Sequence, residues 1–247
     1  MKIFSQNGED GILSFLVSRI KNPVRAAMDI GCGGKSSNTL NLICNREWTG
    51  VFVDMSGKAL NETKRNAAVG KVKSPCHYLN LNICDDGSQE KVKEALDGNE
   101  IGVLSIDIDG LDYWIWKEVQ LDAQIVVIEF NPSFGPEKSL TVKNDPTFNI
   151  NEAHPKRWFH GASLEAMRRL GLQKGYGFVG VDSNGVNAFF MRQDLLRASG
   201  LQEVSSEEAY YPHFQRPEPI DEQVKATNQM GALEVGEDGE VAASAES

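Results

Sequence analysis

Apolar runs and segments of helical period alternate along the chain. Residues 24–30 are a short apolar run ending in Asp29-Ile30-Gly31-Cys32-Gly33-Gly34, a strand that runs into a glycine turn. Residues 38–45 carry Leu40, Leu42 and Ile43 behind the candidate caps Ser36 and Ser37, which predicts a helix. Residues 50–54 predict a second buried strand, 56–66 a helix opened by Ser56 and Gly57, 77–81 a weaker third strand and 89–96 a third helix. The two cleanest strands follow. Residues 101–109 are apolar until they reach Asp107 and Asp109, and residues 123–131 end in Glu129 and Asn131, with a helix over 113–119 between them.

Continuous β-branched runs separated by helices predict a parallel sheet buried on both faces. After a long loop over 132–161, residues 163–170 place Leu164, Met167 and Leu170 on one side of a helix. Residues 176–181 and 186–191 flank Asp182-Ser183-Asn184-Gly185, which is hairpin chemistry. The expected fold class is therefore α/β, a mostly parallel sheet closed by an antiparallel C-terminal hairpin. Such a hairpin departs from the all-parallel dinucleotide-binding pattern. Past Arg216 the chain turns polar, with Pro217, Pro219 and no periodicity. It predicts one domain over 1–215 and a disordered acidic tail over 216–247.

Charge sharpens that division. The formal net charge of the 247 residues is −10, from 25 basic and 35 acidic side chains. Residues 216–247 contribute −6 of it, so the body is only mildly acidic. Neither part has the basic footprint of a nucleic-acid binder. Cys32, Cys44, Cys76 and Cys84 form no CxxC pair, which points to reduced thiols in a cytoplasmic protein. Glu9 and Asp10 stand where a signal peptide would be apolar, and no run of apolar residues is long enough to span a membrane.

A glycine turn after the first strand lets backbone N–H groups and a helix N-terminus approach a ligand closely. Asp54, 23 residues after Gly31 at the end of the second strand, is placed to accept hydrogen bonds from ribose hydroxyls. Asn82 is placed to meet an adenine edge or to cap the next turn. The segment Asp29-Ile30-Gly31-Cys32-Gly33-Gly34 resembles the first motif of class I S-adenosylmethionine (SAM) methyltransferases, and the closing hairpin is similar to that fold's antiparallel last strand. Phe4-Ser5-Gln6-Asn7-Gly8-Glu9-Asp10-Gly11 resembles the opening of FkbM-type sugar or small-molecule methyltransferases. The third glycine departs from the motif by following the second directly. The resemblance spans residues 3–195 and implies a Rossmann-like seven-stranded sheet that binds SAM. It places Asp29, Gly31 and Gly33 around the amino-acid part of SAM, Asp54 on the ribose, and Gln6, Asn82 and Asp107 in the same cofactor set.

Strand residues two apart point to one side, so Asp107 pairs with Asp109 and Glu129 with Asn131. In the class I strand order these pairs are neighbours outside the carboxyl ends of the strands, where open α/β sheets bind ligands. Like charges this close call for compensation. Asp107, Asp109, Glu129 and Asn131 form a candidate oxygen-ligand set for Mg²⁺ or Mn²⁺. The alternative gives one carboxylate to the SAM ammonium and the others to loop and helix caps, with Asp112 a cap in either case.

Methyl transfer to a hydroxyl needs a proton acceptor. His160 is the leading candidate base, with His154 and Asp107 beside it and His213 weaker; His77 reads as structural. Tyr113, Trp114 and Trp116 supply core and a candidate aromatic floor for the acceptor. Asn131-Pro132-Ser133-Phe134 resembles the Asn-Pro-Pro-Phe box of amino-methylating enzymes, but it lacks one proline and follows the fifth strand instead of the fourth, so that chemistry is set aside. Lys138, Lys143, Lys156 and Arg157 make the long loop cationic, which points to an anionic acceptor such as a phosphorylated or nucleotide-linked sugar. The expected activity is O-methylation of a small polar acceptor, by a protein that acts without nucleic acid or membrane and is a candidate homo-oligomer. Metal-free methylation of another metabolite, SAM binding without turnover and an NAD-dependent dehydrogenase are the competing readings.

Overall fold

The computed structural model describes residues 3–33, 36–98 and 100–241. Gly34 of the glycine turn and the last six residues lie outside the described residues. The elements run α1 (Glu9–Ser18), β1 (Ala26–Ile30), α2 (Leu40–Arg46), β2 (Thr49–Asp54), α3 (Gly57–Val69), β3 (Cys76–Asn80), α4 (Ser88–Ala95), β4 (Ile101–Ile106), α5 (Asp112–Glu118) and β5 (Ala123–Glu129). The chain continues through β6 (Leu140–Thr141), α6 (Ile150–Ala153), α7 (Leu164–Gln173), β7 (Tyr176–Val181), β8 (Asn187–Arg192), α8 (Gln193–Ser199), α9 (Ser206–Ala209), α10 (Ile220–Thr227) and β9 (Leu233–Glu234).

Seven strands form one sheet in the order β3-β2-β1-β4-β5-β8-β7. Its first five strands pair in parallel, while β8 enters antiparallel between β5 and β7. This is the α/β class expected, a mostly parallel seven-stranded sheet with a reversed hairpin. The β-branched runs of β4 and β5 are buried on both faces because helices cover both. On one face Met28, Leu104 and Ile128 pack with Tyr113 and Trp116 of α5 and with Leu164, Met167 and Leu170 of α7. On the other, Ala27, Val103 and Phe189 pack with Leu13, Leu16 and Val17 of α1 and with residues of α2, α3 and α8. Ser56 and Ser163 cap α3 and α7 through their side chains, as such residues do.

Helix α1 was not foreseen, although Leu13, Leu16, Val17 and Ile20 carry its period. Its first turn is acidic, and Glu9 and Asp10 are buried. Asp10 Oδ2 accepts from the backbone N–H of Ile3, Phe4 and Ser5 at 2.6, 2.9 and 3.0 Å and from Ser5 Oγ at 2.9 Å. Glu9 accepts from Asn7 N–H and from the amides of Asn7 and Asn187. These bonds fold the opening segment back onto the sheet at the hairpin.

The tail expected to be disordered is folded throughout its described part. Helix α10 packs on the Pro132–Phe134 turn, and β9 pairs antiparallel with β6. Gly239 accepts from the buried Tyr113 hydroxyl at 2.7 Å. Composition misled here because the segment is held by polar contacts. Ser133 Oγ donates to Gln223 Oε1 at 2.6 Å, and Gln223 and Thr227 are buried although neither is apolar. The domain therefore continues past residue 215.

Candidate functional site

The glycine turn is built around a close approach. Gly31 has φ +80°, and a Cβ there would stand 1.9 Å from the carbonyl oxygen of Asp107. Only glycine lets the end of β1 lie this tightly against the end of β4. Asp29 does not sit free in the turn: Ser37 Oγ and Thr39 Oγ1 both donate to its Oδ2, tying the start of α2 to the strand. Its buried Oδ1 has no partner among the described residues. Burial pushes the Asp29 carboxyl above the ordinary range against these hydrogen bonds.

Two cavities open at the carboxyl ends of the strands. The smaller, about 300 Å³, is lined by Gly31, Gly33, Asp54, Asn82, Ile83 and Asp107, among others. It brings together most of the expected cofactor set. Asp54 Oδ1 accepts from Ser56 N–H at 2.7 Å, and Asn82 Oδ1 from Cys84 N–H at 3.1 Å, so Asn82 does cap its turn. Gln6 and Asp29 meet Gly31 and Asp107 in an adjoining polar recess. The larger cavity, about 760 Å³, shares Gly31, Gly33, Asp107 and Asp109 with the smaller and adds Glu129, His160, His213 and Arg216. The two spaces thus adjoin at the glycine turn and the β4 end.

The carboxylate cluster differs from the one expected. Carboxylate oxygens of Asp107, Asp112 and Glu129 lie within 4.8 Å of one another. Asp109 is outside this group. Strand β4 stops at Ile106, the alternation of faces stops with it, and Asp109 takes φ +58°. Its carboxylate then pairs with Arg157 at 2.8 Å on the surface. Asn131 is also lost as a ligand: its Nδ2 donates to the carbonyls of Trp158 and His160, and its Oδ1 accepts from Ser133 N–H and Arg216 Nη1. A fully used amide also removes any amino-methylating role for the Asn131-Pro132-Ser133-Phe134 segment. Asp112 folds back to accept from Ile108 and Gly110 N–H, at 2.8 and 3.0 Å.

Burial is the first reason the cluster resists ionisation. It raises Asp107 and Glu129 well above the usual carboxylate range, with neighbouring acids adding to the effect. Asp112 is pushed up to about 6, since burial outweighs its backbone donors. Oε2 of Glu129 is buried without a hydrogen-bond partner among the described residues. Three oxygen donors and one orphaned buried acceptor fit a hard divalent cation.

The histidines are arranged against the expectation. His160 is buried, and its Nε2 lies 3.0 Å from Arg216 Nη2. A guanidinium only donates, so Nε2 accepts and the ring proton sits on Nδ1, which is buried and unpartnered among the described residues. Burial and Arg216 hold the ring neutral. In this arrangement His160 has no lone pair to offer a substrate proton. His154 lines neither cavity; it stacks on Trp158 and accepts from Lys156 N–H. His213 does line the larger cavity, with its pKa driven down to about 4 by burial and then by Arg216. Trp116 and Tyr113 are core, and Trp114 Nε1 donates to the Val142 carbonyl, so none floors the acceptor space.

Arg216 is a cavity-wall residue that sequence reasoning missed. It stood at the boundary where polarity rises, and no local pattern shows that a residue 85 positions after Asn131 returns to it. Glu9, Asp10 and Asn184 were missed as well. Asn184 Nδ2 donates to Asn7 Oδ1 at 2.9 Å, joining the hairpin turn to the opening motif.

No protein-family model matches the chain, and no curated protein matches it. Solved structures resemble it at low identity. An S-adenosylmethionine-dependent methyltransferase from Clostridium acetobutylicum is 13% identical with a TM-score of 0.46, over 77% of this chain and 92% of that one. An O-methyltransferase from Bacillus cereus in complex with S-adenosylhomocysteine (SAH) is 14% identical with a TM-score of 0.44, over 76% and 80%. A SAM-dependent methyltransferase from Thiobacillus denitrificans, also with SAH, is 12% identical with a TM-score of 0.41, over 72% and 67%. The functional reading rests on the site itself: two adjoining cavities that meet at Gly31 and Asp107 at the carboxyl ends of the parallel strands.

Proposed function

We propose that this chain is a SAM-dependent O-methyltransferase of a small polar acceptor, a sugar or sugar derivative. The observation that carries the reading is the junction of the two cavities at Gly31 and Asp107, with an acidic cluster on the acceptor side of it. The smaller cavity is the nucleoside site, where Asp54 meets the ribose and Ile83 packs against the base. The recess at Gln6, Asp29 and Gly31 takes the amino-acid part.

When bound, SAM supplies an electrophilic methyl group on a sulfonium. The acceptor oxygen forms the new bond to carbon as the carbon–sulfur bond breaks, leaving a neutral thioether. The acceptor's proton goes to a carboxylate of the cluster, Glu129 or Asp107, in its ionised form. Positioning by the cavity walls supplies much of the remaining acceleration. Asp107, Asp112 and Glu129 would hold Mg²⁺ or Mn²⁺, whose chemistry is to lower the pKa of a coordinated hydroxyl. Asp112 argues for a second, metal-free reading, because both of its oxygens already accept backbone N–H bonds.

The four cysteines are free thiols, which supports a reducing, cytoplasmic setting. No helix among the described residues is long and apolar enough to cross a membrane. Calorimetric titration with SAH, with Mn²⁺ and with EDTA, tests the assignment. SAH lacks the sulfonium charge, so binding reports the nucleoside site and not one carboxylate; absence of binding in every condition overturns it.

A further inference from the structure

We propose that the acceptor carries an oxyanion, a phosphate or a carboxylate, and that Arg216 is the residue that selects it. The proposal rests on the larger cavity being the acceptor pocket. Arg216 is half-buried in the wall of that cavity. Nη1 donates to Asn131 Oδ1 at 2.8 Å and to Ser133 Oγ at 2.6 Å; Nη2 donates to the Arg157 carbonyl at 3.1 Å and to His160 Nε2 at 3.0 Å. All four acceptors are neutral. They fix the guanidinium in place, and the Glu129 carboxyl acts on it through space without a hydrogen bond. Among the described residues no carboxylate oxygen forms an ion pair with it.

A charge withdrawn from water is ordinarily paired, so a positioned and unpaired guanidinium is what an anion site looks like before its ligand arrives. Its Nε–H has no partner among the described residues and remains for a ligand oxygen. Two further cations stand in the same cavity wall. Arg157 and Lys156 line the cavity in ion pairs with Asp109 and Glu218 respectively, and Lys156 Nζ also lies over the Trp158 ring, 4.7 Å from its centroid. Such pairs are weak and open readily to a competing anion.

The cationic side chains are unevenly placed. Asp107 and Asp109 lie where the cavity adjoins the cofactor space, while Arg216, Arg157, Lys156 and His213, together with the acid Glu129, line only the larger cavity. An acceptor with an oxyanion at one end and a hydroxyl at the other would be oriented by these charges. Its hydroxyl would face the acids and the methyl donor. Arg216 is thus a specificity-determining residue, delivered by a segment that composition alone assigned to a solvated tail.

Thermal unfolding of the SAH-loaded full chain in rising inorganic phosphate, and separately in acetate, tests this against chloride at matched ionic strength. One of the two anions should raise the wild-type Tm in a saturable way beyond chloride, and which one does so separates a phosphate from a carboxylate ligand. In R216Q the anion concentration needed should rise by roughly tenfold or more. If R216Q fails to fold, R216K keeps the charge but loses the fork, and should need about three- to tenfold more anion. An anion response absent in the wild type, or undiminished in the variants, overturns the proposal. SAH binding is read in the same samples: its loss in the wild type strikes the methyltransferase reading, whereas bound SAH without an anion response strikes the selection by Arg216 alone.

Discussion

Asn131 Oδ1 accepts a hydrogen bond from Arg216 Nη1 at 2.8 Å, joining the end of β5 to a segment 85 residues further on. The same amide donates to Trp158 and His160 carbonyls at 2.8 and 2.9 Å. One buried side chain therefore holds three separate pieces of chain around the larger cavity.

Asn131→Ala should strand all of these groups at once. Each neutral bond is worth about 1 kcal/mol and each buried group left unpaired costs about 1–3 kcal/mol, so a loss of about 3–5 kcal/mol is expected. In a chain of this size that lowers Tm by roughly 10 °C. Differential scanning calorimetry measures it, and a shift within about 2 °C would show that the amide is not the joint described.

Gly31→Ala is expected to hit the cofactor site harder than the fold. The added methyl meets the Asp107 carbonyl at 1.9 Å, and φ +80° is unfavourable for alanine. The β1 and β4 ends must separate, which opens the junction between the cavities. SAH affinity by calorimetry should fall by roughly tenfold or more while the far-ultraviolet spectrum is kept. Wild-type affinity in the variant would mean that the nucleoside lies elsewhere.

Ending the chain after Gln215 removes Arg216, α10 and β9 together. It exposes the Pro132–Phe134 turn, removes β9 from beside β6, and frees the Tyr113 hydroxyl from Gly239. The truncated chain should lose several kcal/mol of stability, because several buried polar groups lose partners at once. A Tm equal to that of the full chain would return residues 216–241 to the status of a solvated tail.

The acidic cluster makes stability fall as pH rises. A carboxyl whose pKa is raised in the folded state binds its proton more tightly folded than unfolded. Its stabilising effect is complete below the unfolded pKa and is lost as pH climbs to the folded one. For Asp112 that window runs from 3.8 to about 6, and for Asp107 and Glu129 it extends upward from 3.8 and 4.5. Glu129→Gln removes one of the opposed charges, so it should raise Tm at mildly alkaline pH more than at acid pH, while depressing any methyl transfer. Mn²⁺ should raise the wild-type Tm at alkaline pH and lose that effect in the variant. Equal Tm differences at both pH values would show that burial does not raise the Glu129 carboxyl.

The strand–turn–helix order was legible because each unit is a local pattern. Asp29, Gly31 and Asp54 follow from it, as glycine and acid positions at strand ends are set by a few adjacent residues. Helix α1 was also written in its period but was hidden by Glu9 and Asp10, acids that look solvated until their hydrogen-bond donors are seen. The ligand cluster was legible only in part. Face alternation reaches Asp107, directly after β4, and Glu129, the last residue of β5, and it fails at Asp109 and Asn131, two residues further on.

By itself, then, the sequence determined the buried parallel sheet, its reversed hairpin and the glycine turn against an acid, since apolar period and turn chemistry are properties of neighbouring residues. The tertiary structure alone decided which polar groups meet. It drew Asp112 into the cluster in place of Asp109, turned His160 from a base into an acceptor for Arg216, and folded a polar tail onto the site. Those choices depend on hydrogen bonds between residues tens of positions apart, and the period of a chain carries no record of them.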